Sequence, residues 1–172
     1  AQESRGLGDV YKRQPNQYVN FTPDSKASQL ALSLIDEDTV DVDALQQIYD
    51  YVVSNLTYDY EKADTVTTGY LPDVDETLKT GTGICFDYAA LTTAMLRSCD
   101  IPCKLQIGYA GDIKHAWIDV YIRSKGWVNQ AVSFKGDTWT LMDPTFDSNS
   151  DDKEAIQDYI GDESNYTVQF TR

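Results

Sequence analysis

The chain has 172 residues and a formal net charge of −14, with 41% hydrophobic and 24% charged residues. Those values fit one soluble globular domain that can bury a core without staples. The negative charge argues against nucleic acid and against anionic lipid as partners, and no apolar run reaches the roughly 18 residues of a membrane span.

Residues 1–14 carry no apolar period and no helix cap. They are expected to be disordered or to come from a sequence junction, with a single domain over 15–172. Thr22-Pro23-Asp24 reads as a helix start, with Thr22 as cap and Pro23 in the first turn. Ala27, Leu30, Ala31 and Leu34 follow at helical spacing. A second helix is expected after Asp41 or Asp43, carrying Leu45, Ile48, Tyr49, Val52, Val53 and Leu56 on one face. Residues 58–71 read as loop, and 73–79 as a short helix stopping near Gly81.

The main helix is expected over 82–98. Ile84, Tyr88, Leu91 and Met95 form one stripe, and Cys85, Ala89, Thr92 and Leu96 the neighbouring one. Both stripes lack charge, so this helix should be central and buried. Pro102 ends it. The pattern then changes to strands over 104–109, 115–123, 127–134 and 138–142, joined by the turns Ser124-Lys125-Gly126 and Lys135-Gly136-Asp137. An acidic helix over 151–160 and a strand over 166–170 are expected last. Helices first and strands later predict an α+β domain, with an antiparallel sheet packed on the central helix.

Cys99 and Cys103 read as small, partly buried residues, with a disulfide across their turn as the alternative. A zinc site lacks a second Cys pair. Asp147-Ser148-Asn149-Ser150-Asp151 lacks the turn glycine and closing glutamate of a calcium loop, so a solvated loop is expected and no metal.

Cys85, the single histidine His115, and Asp143 supply a thiol, an imidazole and a carboxylate. Such a set can form a nucleophile, a base and an orienting group. Taken singly, each has a plain reading: a buried helical Cys, a surface or hydrogen-bonded His, a turn Asp before Pro144. With Thr82 as cap, Cys85 falls in a first helical turn, where unpaired N–H groups favour a thiolate and can bind an oxyanion. A neighbouring imidazolium would lower the thiol pKa further. Gly81 and Gly83 allow close approach of a substrate backbone.

Gly81-Thr82-Gly83-Ile84-Cys85-Phe86-Asp87-Tyr88-Ala89-Ala90-Leu91, with Met95-Leu96-Arg97-Ser98 and Ile101-Pro102, resembles the nucleophile helix of the transglutaminase-like superfamily. Gly108-Tyr109, His115-Ala116-Trp117 and the stretch from Trp139 to Asp143-Pro144-Thr145 resemble its histidine and aspartate strands. The motifs fall in order over residues 41–147. The resemblance implies a papain-like α+β core, with Cys85 as nucleophile, His115 as base and acid, and Asp143 orienting His115. Gly83, Tyr70 and Trp117 become candidate substrate contacts, and Tyr58 and Tyr60 lie on the same stretch of cleft wall.

The implied activity is attack on peptide or side-chain amides through a thioester, ending in hydrolysis or acyl transfer, on a protein or peptide substrate and without a cofactor. Bacterial secreted or surface-anchored members are the most similar, which implies an extracellular or cell-surface setting, with the targeting segment absent from this chain. The accessory β-domains and calcium site of animal transglutaminases are missing, and an additional hairpin spans 126–137. The alternative is a non-catalytic surface binding module that keeps the fold.

Overall fold

A computed structural model describes residues 13–67, 69–110, 113–142 and 166–171. Five helices precede most of the sheet: α1 (Lys26–Leu34), α2 (Asp41–Asn55), α3 (Tyr60–Thr65), α4 (Val74–Thr80) and α5 (Cys85–Ser98). A two-residue strand β1 (Thr57–Tyr58) pairs in parallel with β2 (Thr82–Gly83). The remaining strands are β3 (Cys103–Ala110), β4 (Ile113–Ile122), β5 (Gly126–Lys135), β6 (Thr138–Leu141) and β7 (Tyr166–Thr171). They form an antiparallel sheet in the order β6-β5-β4-β3-β7. The expected α+β layering is present. Among the described residues no helix is long and apolar enough to cross a membrane.

Helix α5 is the centre of the core, and every residue from Cys85 to Arg97 is buried. Its apolar side chains are matched on the sheet by Leu105 and Ile107 of β3, Ala116, Ile118, Val120 and Ile122 of β4, and Val132 and Phe134 of β5, each at most 1% exposed. Burying one such Leu, Ile or Phe stabilises the fold by about 1.5–3 kcal/mol. Hydroxyls are satisfied within the helix: buried Thr92 and Thr93 and half-buried Ser98 donate to the carbonyls of Tyr88, Ala89 and Ala94 at 2.7 Å each. Arg97, also buried, donates to the Cys103 carbonyl at 2.8 Å and to the Gln14 carbonyl at 3.1 Å.

Three expectations are corrected. The first helix begins at Lys26, not at Thr22-Pro23-Asp24, because Thr22 and Ser25 close a turn on each other. Asp75 of α4 instead accepts the Lys26 and Ala27 N–H groups at 3.2 and 3.1 Å. The stretch 58–71 is not all loop: Asp59 accepts the Lys62 N–H at 2.9 Å and starts α3. Thr82 does not cap α5. Thr82 and Gly83 pair with Thr57 and Tyr58, and Ile84 is the capping position. The expected 73–79 helix and the strands of β3 to β6 stand within a residue or two, as does Gly81, which ends α4 with φ +68°. None of the three cysteines is in a disulfide: Cys103 is buried and Cys99 half-buried. The acidic helix over 151–160 and the loop over 147–151 lie outside the described residues.

Candidate active site

Cys85 is the first residue of α5 and only 1% exposed. The turn that holds it is built by Asp87, whose carboxylate accepts the Ile84 N–H at 2.9 Å. On the other side, β1 runs alongside: the Asp59 N–H donates to the Gly83 carbonyl at 2.9 Å, and Tyr58 pairs with Gly83. A methyl group on Gly83 would sit 2.6 Å from the Asp87 Cβ, so only glycine fits there.

Of the three tyrosines on the expected cleft wall, two are already engaged. Tyr60 donates its hydroxyl to Asp137 at 2.7 Å, tying α3 to the β5–β6 turn. Tyr70 donates to Asp87 at 2.6 Å. Tyr58 packs edge-on against Tyr60, with ring centroids 5.0 Å apart. Burial first, then the charges of Cys85, Asp137, Tyr60 and Asp64, push its hydroxyl up to about 12, so it remains a protonated donor.

His115 lies near the start of β4, paired with Gly108 on one side and Lys135 on the other. Period-two alternation gives it the sheet face of Trp117 and Ser133. Its ring centroid is 5.0 Å from that of Trp117, and Nε2 shares a 2.5 Å hydrogen bond with the Ser133 hydroxyl. Both residues are buried, with His115 1% and Trp117 3% exposed. Burial, aided by the Lys135 charge, pushes the imidazole down to about 4. Burial thus favours the uncharged ring at neutral pH, the form that accepts a proton.

The packing of α5 on the sheet runs through the Ala116 face of β4, whereas His115 takes the other face with Trp117 and Ser133. Tyr88, one turn past Cys85, packs its ring 5.6 Å from Phe134 and stacks 5.0 Å from Trp139. Phe134 is the cross-strand partner of Ala116, the residue after His115. Asp143 lies outside the described residues. The buried carboxylate on the His115 strand, Asp119, is otherwise used. It accepts the Gln130 N–H at 2.8 Å and the Gln106 side-chain amide at 2.5 Å. Gln130 is left-handed, with φ +54°, at the register shift between β4 and β5.

Ser133 escaped the sequence reading. Its one signal is polarity between Val132 and Phe134 on a strand otherwise spent on the core. Lys62 also escaped it, because α3 was read as loop. No cluster of three or more His, Cys, Asp or Glu suited to a metal occurs among the described residues.

A family model of the transglutaminase-like superfamily matches residues 28–144. UPF0252 protein MJ1282 of Methanocaldococcus jannaschii is 36% identical over 62 residues, covering 33% of this chain and 18% of that protein. Among solved structures, a candidate cysteine protease from Cytophaga hutchinsonii superposes with a TM-score of 0.54 at 18% identity, over 95% of this chain and 53% of that one. A candidate protease from Parabacteroides distasonis gives 0.51 at 17% identity, over 80% of this chain and 31% of that one. The chain thus spans about half or less of each relative, and at these identities the two structures speak to the fold alone.

Proposed function

The chain belongs to the transglutaminase-like superfamily, and from that premise we propose that it is a cysteine enzyme acting on peptide or side-chain amides, with Cys85 as nucleophile and His115 as base. The observation that supports this reading is the position of Cys85 as the first residue of a buried helix within the stretch that the family model matches.

A ring nitrogen of His115 takes the thiol proton. The thiolate then attacks the amide carbonyl carbon, and the carbonyl electron pair moves to oxygen. N–H groups at the start of α5, and the Tyr58 hydroxyl, are the donors for that oxyanion. The intermediate collapses as the C–N bond breaks, and the imidazolium gives its proton to the leaving amine. Water or a second amine attacks the thioester, with His115 again taking the proton, and releases an acid or a new amide together with the thiol. Ser133 holds the ring at Nε2, the role also proposed for Asp143.

The test is mass spectrometry of Cys85 after incubation with a glutamine-containing peptide library, alongside turnover by four variants. Cys85→Ala abolishes turnover, Cys85→Ser nearly so, and His115→Ala follows closely. Asp143→Ala is milder, because an orienting group does not itself take the proton. Circular dichroism on the same samples checks the fold. A folded Cys85→Ala protein with full turnover would end the proposal. Absence of any acyl adduct or turnover in the wild type would favour a binding module instead.

A further inference from the structure

Asp87 is fully buried, yet its carboxylate has a lysine partner. Its carboxylate accepts the Ile84 N–H at 2.9 Å and the Tyr70 hydroxyl at 2.6 Å, and it pairs with Lys62 Nζ at 2.9 Å. The ammonium also sits 4.5 Å above the Tyr70 ring. A cap for Ile84 needs none of this, since a neutral Asn or Ser accepts one N–H equally well. Burying a carboxylate is costly unless it is paired and hydrogen-bonded. Here α3 delivers a lysine to one particular turn, the one that begins with Cys85.

We propose that Asp87 and Lys62 are positioning residues for Cys85: Asp87 locks the first turn of α5, and Lys62 cancels its charge so that the turn can hold a thiolate. This rests on reading Cys85 as the nucleophile. An uncompensated carboxylate two residues from the thiol would oppose its ionisation. Titratable groups on the surrounding elements are Tyr58, Tyr60 and Asp64 from the segment running past Gly83, Tyr88 on α5, and His115, Lys135 and Asp137 on the sheet. The tyrosines are held protonated and His115 neutral. Asp64, Lys135 and Asp137 are exposed, so solvent screens them. Asp87 is the buried carboxylate beside the thiol's turn. Burial alone would lower Lys62, but its bonds to Tyr70 and Asp87 outweigh that and raise it, so it stays cationic while a thiol titrates.

The test is the pH profile of iodoacetamide alkylation, read cysteine by cysteine by mass spectrometry, for the wild type, Lys62→Met, Asp87→Asn and the double variant. Lys62→Met should move the Cys85 midpoint up by roughly one pH unit, and Asp87→Asn should move it down by a similar amount. The double variant should return close to wild type, because the two charges cancel. Shifts of the same sign in both folded single variants, or no shift, would overturn the inference and leave a plain structural brace. Should Lys62→Met not fold, the downward shift in Asp87→Asn and its return in the double variant decide the matter. A wild-type Cys85 that labels no faster than Cys99 would remove the nucleophile reading itself, a result distinct from unmoved variants on a reactive wild type.

Discussion

Asp75 closes the N-terminus of α1 from another helix, its two carboxylate oxygens accepting the Lys26 and Ala27 N–H groups at 3.2 and 3.1 Å. The nominal cap, Ser25, makes no side-chain bond to the helix. Asp75 therefore supplies both a cap and a favourable charge at the positive end of the dipole. Asp75→Ala should lower stability by about 1 kcal/mol, read as the change in urea midpoint at constant slope. An unchanged midpoint would show that water replaces the carboxylate without loss.

Gly83 is limited by space, because an added Cβ would meet the Asp87 Cβ at 2.6 Å. Gly83→Ala must displace the first turn of α5, at a cost of about 1–3 kcal/mol for overpacking. The accompanying expectation is a loss of selective Cys85 alkylation in protein that still folds. Selective labelling at the wild-type rate would show that the turn gives way without moving the thiol.

His115 makes stability depend on pH in a defined window. Its ring is held down to about 4 by burial and by Lys135, against 6.5 in an unfolded chain. Between those values the unfolded state binds the extra proton. Stability is therefore fully present above about 6.5 and falls as pH drops toward 4, by about 3 kcal/mol from this group. Urea unfolding of wild type and His115→Gln at pH 7 and pH 4.5 tests it. The variant should lose this part of the slope, and parallel curves for the two proteins would refute the assignment.

Ser133 holds Nε2 of His115 through a 2.5 Å bond. Ser133→Ala should leave a buried ring nitrogen without that partner and lower stability by about 1–3 kcal/mol. If the ring is the base, turnover should also fall, by roughly ten- to a hundredfold, as orientation is lost but the base remains. Unchanged kinetics with lowered stability would confine Ser133 to packing.

Cys99 serves as the internal control for thiol chemistry. Burial first, and then the Asp100 charge, push it up to about 11. It should label slowly at neutral pH and gain rate only in strong alkali. Fast neutral labelling at Cys99 would mean that its burial is lost in solution.

Periodicity alone determined much of this protein. The uncharged double stripe from Ile84 to Leu96 requires a buried central helix, and the alternation of Ala116, Ile118, Val120 and Ile122 requires a half-buried strand. Both follow from side-chain spacing along one element, which is written locally in the chain. The residues of the candidate nucleophile and base were legible for the same reason, through their motif and its resemblance to a family. What tertiary structure decided is pairing at a distance. Thr82 was drawn from a cap into a strand because Thr57 lies beside it. Asp75 caps the helix at Ala27, 48 residues away in sequence. Lys62 pairs with Asp87, and Ser133 reaches His115. A buried polar group takes whichever partner the packed fold brings within hydrogen-bond range, and that choice is made in three dimensions after the apolar faces have closed.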